Sequence, residues 1–253
     1  VPILQVQKTH CQKRKMRSIV LLLLLTFIGV LDARNNVENI QITGRGTAHE
    51  ATYSFGIDIS RYQTIMWEKI DTNINFIICK ASEGVTLTDP KFATFWSKIN
   101  PRVKKGAYHF FRPQNSGVDQ AKLFLSVVNF EKGHLLPVID VENGRAYRQV
   151  KAVLVAKRLK EMIKYIEDEL HVKPIIYTNA SFWNKQFSPH FKDMKNDYHL
   201  WIADYRLREE PSIPKGWDDW TIWQHSCKGV VKGILNEVDL NVCKVDLNEL
   251  CIK

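Results

Sequence analysis

From residue 53 onward, apolar positions gather into eight short, β-rich runs: YSFGIDIS (53–60), INFIICKAS (74–82), KGAYHFF (105–111), LLPVIDVE (135–142), KPIIYTN (173–179), HLWIADY (199–205), WTIWQHS (220–226) and EVDLNV (237–242). Runs of this length, rich in Ile, Val and aromatic residues, read as strands. Helical spacing fills the intervals Pro90 to Ile99, Gly117 to Phe130 and Arg148 to Leu170. In the last of these Val150, Val153, Leu154, Leu159, Met162, Ile163 and Ile166 recur three and four residues apart, the period of one helix face. Strand alternating with helix predicts a parallel sheet with crossovers.

The alternation fades after Asn179. Only the first of the later intervals holds a short helix, around Ser181 to Gln186, and the interval Cys227 to Asn236 is too short for a helical crossover. Eight strands with dwindling helices predict an α/β fold of irregular TIM-like barrel type rather than an open doubly wound sheet, the rival architecture. Residues 53–253 are read as a single catalytic barrel domain, a size that one core can fill.

The first 52 residues have another character. Ile19 to Leu31 is an uncharged stretch of thirteen residues behind Arg17. That is too short to span a bilayer and suits the apolar region of a signal peptide. Met16 to Ala33 is therefore expected to be a signal peptide, with 1–15 as upstream sequence or an artefact and 34–52 as a linker; a signal anchor is the competing reading. A leader predicts secretion, extracellular or into a lysosomal or digestive compartment, with no stable membrane association once cleaved.

Charge narrows the partners only partly. The formal charge of +9 falls to +5 when residues 1–33 are removed, since five basic residues and one acidic leave with them. Net positive charge favours anionic polymers in general. No Lys/Arg run interleaved with aromatics follows the leader, which argues against nucleic acid. Four cysteines remain, Cys79, Cys227, Cys243 and Cys251; Cys79 reads as a buried thiol, and Cys227 with Cys243, flanking the last two strands, is the favoured disulfide. No C-x-x-C or His/Cys spacing suggests a metal site. No Gly-rich phosphate loop and no G-x-S-x-G elbow occurs, so no cofactor is implied.

In an α/β barrel the active site collects at the carboxyl ends of the strands. Here those ends carry Asp58, Glu83, His109, Asp140, Glu142, Tyr177, Asn179, Asp204, Tyr205, Gln224 and Asp239. Asp140 and Glu142 stand two residues apart, on one face of a strand and about 6.5 Å apart at Cα. Paired acids suit glycosidic hydrolysis, which needs one carboxyl protonated while another manages positive charge. If Asp58 and Asp239 face the same cleft, mutual repulsion raises at least one pKa. Trp201, Tyr205 and Trp223 are candidate sugar platforms, with core packing as the alternative. His109 and Glu83 read as structural. The sequon Asn179-Ala180-Ser181 falls on the presumed rim, where a glycan would obstruct substrate.

Taken together the strand ends resemble the glycoside hydrolase family 25 muramidases, the Chalaropsis-type lysozymes. The matching segments are Gly56-Ile57-Asp58-Ile59-Ser60-x-x-Gln63, Lys80-Ala81-Ser82-Glu83-Gly84, Tyr108-His109-Phe110, Asp140-Val141-Glu142, Ile176-Tyr177-Thr178-Asn179, Trp201-Ile202-Ala203-x-Tyr205, Trp223-Gln224 and Val238-Asp239-Leu240-Asn241. No one of them is specific, but eight in order are. The resemblance implies a barrel of five βα units followed by three strands. It also implies cleavage of the β-1,4 bond between N-acetylmuramic acid and N-acetylglucosamine in bacterial peptidoglycan; the architecture, a secreted single domain with added cysteines, leads us to expect a monomer serving digestion or antibacterial defence. Glu142 would then be the general acid and Asp140 its partner toward the substrate's N-acetyl group. Asp58 and Asp239 would line the sugar site, and Tyr108, Tyr177, Trp201, Tyr205 and Gln224 would contact substrate. A lectin-like barrel without catalysis and a chitinase-type glycosidase are the competing functions.

Overall fold

The computed structural model describes residues 53–191 and 194–253. The segments read as upstream sequence, leader and linker lie outside the described residues. The strands are β1 (Ser54–Ile59), β2 (Phe76–Glu83), the two-residue β3 (Leu87–Thr88), β4 (Lys104–Phe110), β5 (Val138–Asp140), β6 (Ile175–Thr178), β7 (Leu200–Ala203), β8 (Ile222–Gly229) and β9 (Val238–Cys243). They pair in the order β1-β9-β8-β7-β6-β5-β4-β2, and a parallel β1–β2 pairing closes the barrel at eight strands, leaving β3 as a hairpin extension of β2. All eight predicted strands are present. β9 alone runs antiparallel to both neighbours, β8 and β1, because the connection before it is too short to carry a crossover.

Four α-helices cover the barrel among the described residues: α1 (Phe92–Lys98), α2 (Gly117–Val127), α3 (Ala152–Leu170) and α4 (Ala180–Gln186). The first crossover departs from five full βα units. It carries only a 3-10 turn, Trp67–Lys69, because its backbone pairs elsewhere: Met66 and Asp71 N–H donate to Gly233 and Lys232, and Leu235 N–H donates to Thr64. Helix α3 also begins later than its period suggested, since Arg145–Arg148 forms a 3-10 turn that buries Tyr147.

The core is split by the barrel wall. Outward-facing residues such as Ile57, Ile77, Ile139 and Ile202 pack under the helices with Phe124 and the α3 stripe Val155, Leu159, Met162, Ile163 and Ile166. Each large aliphatic side chain so buried contributes ~1.5–3 kcal/mol. Helix α2 approaches α3 so closely that a Cβ on Gly117 would lie 1.9 Å from the Arg158 carbonyl oxygen. Inside the barrel, Phe76, Ile78, Val138, Ile175, Ile222 and Cys243 form a second cluster with Leu247, Leu250 and Cys251. The C-terminal segment seals the amino end of the strands: Leu136 N–H donates to Leu250 at 2.7 Å and Ile252 N–H to His134 at 2.9 Å. With that end plugged by apolar residues, the chemistry is left to the other mouth.

Candidate active site

Along each strand alternate residues point into the barrel, and the inward positions turn polar toward the carboxyl ends. On β1, Gly56 gives way to Asp58; on β2, Ile78 to Lys80; on β5, Val138 to Asp140; on β8, Ile222 to Gln224. Strand β9, running the other way, supplies Asn241 and then Asp239, which lies directly opposite Asp58 in register. Four carboxyl groups thus meet at one mouth: Asp58, Asp140, Glu142 and Asp239. They sense one another, since the charges on Glu142 and Asp58 disfavour ionisation of Asp140, and those on Asp58 and Glu142 disfavour ionisation of Asp239.

Asp58 is held by a fixed donor array. Gln224 Nε2 donates to its Oδ2 at 2.7 Å and Asn241 Nδ2 donates to the same oxygen at 2.9 Å. The amides are themselves oriented: Tyr177 Oη donates to Gln224 Oε1 at 2.7 Å, Tyr205 Oη donates to it at 2.5 Å, and Trp201 Nε1 donates to Asn241 Oδ1 at 2.8 Å. Burial pushes the Asp58 carboxyl up to about 6, against the pull of the two amide donors. Asp140 is buried, and its Oδ1 has no hydrogen-bond partner. Ionising it would leave a poorly compensated buried charge, so burial and then the Glu142 charge hold its pKa well above the ordinary carboxylate range. Glu142 lies two residues farther toward the mouth and is only half-buried. Burial pushes it up to about 7, with Asp58 and Glu83 adding to the rise and Lys80 and Arg112 opposing it.

Three charged residues that sequence reasoning did not assign to the site, Lys80, Glu83 and Arg112, join it, and a β-bulge in β2 turns Glu83 toward the other two. Lys80 pairs with Tyr108 and Ser82 with His109, so the β2 register slips between them and Glu83 falls opposite Phe110. The extra residue returns Glu83 to the inner face that Lys80 already occupies. Lys80 Nζ sits 2.7 Å from Glu83 Oε2, and Arg112 Nε donates to Glu83 Oε1 at 2.8 Å. A lysine ending the apolar run NFIICK was the available signal, because a buried lysine demands a counter-ion.

Several candidates sit elsewhere. His109 faces outward, with Nδ1 2.8 Å from Ser82 Oγ and Nε2 3.3 Å from Gln120 Oε1, and burial depresses it to about 4, which leaves it on the far side of the wall from the four acids. Trp201 is fully buried beneath the mouth and packs edge-on to Tyr177 at 4.7 Å, so it supports the site from below instead of presenting a sugar platform. Trp223 belongs to the outer layer, where its Nε1 donates to the Asp204 carbonyl oxygen. Asp204 holds its own loop through Arg206 and Ser212. Tyr108, Tyr177 and Gln224 are largely buried, whereas Tyr205 is 44% exposed. Asn179 caps α4, its Oδ1 accepting from Phe182 N–H at 3.0 Å. The Cys227–Cys243 disulfide is not formed: register sets Cys243 opposite Ile222, five residues along β8 from Cys227. Five strand residues span about 16 Å, far beyond the Cα separation a disulfide tolerates. Cys243 instead joins the inner apolar cluster.

An eight-stranded α/β barrel with carboxyl groups gathered at its open mouth holds the groups that glycosidic hydrolysis uses, and the similarities that follow make it a glycoside hydrolase of the lysozyme type. The chain belongs to the glycosyl hydrolases family 25, whose model matches residues 57–234. It is 35% identical over 209 residues to the protein YegX of Escherichia coli strain K12, covering 79% of this chain and 73% of that one. It is 31% identical over 201 residues to lysozyme M1 of Streptomyces globisporus, covering 74% and 66%. Among solved structures, the bacterial lysozyme of Streptomyces coelicolor superposes with a TM-score of 0.72 at 28% identity, over 79% of this chain and 95% of that one. A family GH25 lysozyme of Aspergillus fumigatus superposes with a TM-score of 0.70 at 25% identity, over 80% and 100%.

Proposed function

We propose that the protein is a secreted N-acetylmuramidase that hydrolyses the β-1,4 bond between N-acetylmuramic acid and N-acetylglucosamine in bacterial peptidoglycan. The observation that carries this reading is the half-buried Glu142 carboxyl, raised to about 7 at the mouth of a barrel lined with further acids. An acid must hold its proton at working pH and reach the leaving oxygen. Of the pair, Glu142 has that access and Asp140, buried two residues deeper, does not.

In the proposed sequence Glu142 gives its proton to the glycosidic oxygen as the bond to the anomeric carbon breaks. The carbonyl oxygen of the muramic acid N-acetyl group closes on that carbon, and Asp140, kept protonated by burial, orients the acetamido group by hydrogen bonding. Water then attacks the anomeric carbon, opens the ring so formed and returns a proton to the Glu142 carboxylate. Asp58, oriented by Gln224 and Asn241, stabilises positive charge on the sugar from across the mouth, and Asp239 beside it lines the same sugar site.

The test is digestion of purified peptidoglycan followed by mass spectrometry of the reduced products. Muramic acid at the new reducing ends, with activity lost in a folded Glu142→Gln variant, supports the assignment. Reducing ends on glucosamine, or wild-type turnover by Glu142→Gln, would overturn it.

A further inference from the structure

We propose that Glu83 is a positioning residue for the catalytic pair, holding the Lys80 ammonium against the barrel wall so that it does not pair with Asp140 and Glu142. The inference rests on the muramidase reading of Glu142. Lys80 is 3% exposed at its side chain and Glu83 12%. A cation so buried requires a counter-ion, and the mouth offers several. The bulge in β2 settles which one is used, because it turns Glu83 inward only three residues from Lys80, at 2.7 Å. Phe110, opposite Glu83 in register, completes the clamp: Lys80 Nζ lies 4.8 Å from the centre of its ring and the Arg112 guanidinium carbon 4.6 Å. Arg112 binds the other oxygen of Glu83, so that carboxylate is engaged on both sides.

The alternative pairing would disable the enzyme. An ammonium in direct contact with Glu142 favours its ionised form and lowers a carboxyl pKa by about one to three units, removing the proton that the acid must deliver near neutral pH. The charged groups facing Glu142 come from every wall of the mouth. Lys80 and Glu83 stand on β2, Arg112 follows β4, and Asp58, Asp140 and Asp239 are presented by β1, β5 and β9. The hydroxyls of Tyr108, Tyr147, Tyr177 and Tyr205 are also within its electrostatic reach. Among these groups the cations are Lys80 and Arg112, and both are tied to Glu83.

Titration of Glu142 by carboxyl-carbon NMR in protein labelled with 13C-glutamate, assigned by loss of its signal in Glu142→Gln, reads the effect without relying on turnover. In Glu83→Gln the Glu142 pKa is expected to fall by about one unit or more, and the alkaline limb of kcat/KM to move down with it. Arg112→Gln leaves the Lys80–Glu83 pair and removes a cation, so the same pKa is expected to rise; it also serves should Glu83→Gln fail to fold. A Glu142 pKa unmoved in the folded variants, or moving the same way in both, would overturn the proposal. Wild-type protein inactive on peptidoglycan would be the separate failure of the muramidase reading.

Discussion

Gln224 donates a hydrogen bond to Asp58 at 2.7 Å through an amide whose oxygen accepts from the hydroxyls of Tyr177 and Tyr205, an orientation favoured because the reverse would set amide oxygen against carboxylate. A reversed amide would face Asp58 with oxygen and both tyrosine hydroxyls with N–H groups. This arrangement favours the Asp58 anion despite its burial. Gln224→Leu deletes one of two amide donors, each hydrogen bond to a charged group being worth about 1.5–3 kcal/mol. We expect the Asp58 pKa to climb above about 6 and kcat/KM at pH 6 to fall on the order of tenfold or more, read from the acid limb of the pH profile.

The proposed roles give a narrow pH window. Glu142 must be protonated and is raised to about 7, so activity falls as pH rises through that value. Asp58 must be ionised and is raised to about 6, so activity falls as pH drops below it. A bell-shaped kcat/KM with its maximum between about 6 and 7 is the expected profile for the free enzyme. A plateau extending to pH 9 would remove Glu142 as the acid.

The same burial of acids makes the site costly to fold. A carboxyl whose folded pKa lies above its unfolded value contributes stability below the unfolded pKa and loses it as pH rises through the folded one. For Glu142 that window runs from about 4.5 to about 7. Glu142→Gln removes a desolvated charge that repels its neighbours, so the variant should be more stable than wild type at pH 8, by on the order of 1 kcal/mol or a few degrees in Tm, with the gain gone at pH 4. Thermal melts at the two pH values check the sign.

Gly117 tests the outer layer. Its missing Cβ lets α2 lie against the backbone of α3, 1.9 Å being left where a methyl would go. Backbone cannot yield as a side chain tip does, so Gly117→Ala should cost about 2 kcal/mol or more. It should lower Tm by several degrees, read from thermal melts, whereas the conservative control of a substitution on the exposed face of α2 should not.

Much of the barrel was legible in the chain. The eight strands, the order in which helices thin out, and the strand-end acids all follow from local period and from inward positions alternating with outward ones. What stayed hidden was set by contacts between distant segments. The helix missing from the first crossover reflects hydrogen bonds to residues 232–235. Trp201 and Trp223 look equivalent along the chain, yet strand parity sends one beneath the mouth and the other under the helices. Cys227 and Cys243 flank neighbouring strands, but antiparallel register separates them by five residues.

The sequence by itself determined that the acids lie at strand ends, since alternation and β-branched runs place Asp58, Asp140 and Asp239 where an α/β barrel keeps its chemistry. Only the tertiary structure decided how those acids are tuned. Closure by β9 set Asp239 beside Asp58, and the bulge in β2 turned Glu83 onto the wall where it meets Lys80 and Arg112. Proton affinity depends on burial and on charges a few ångströms away through space, and neither quantity is written in the spacing of residues along a chain.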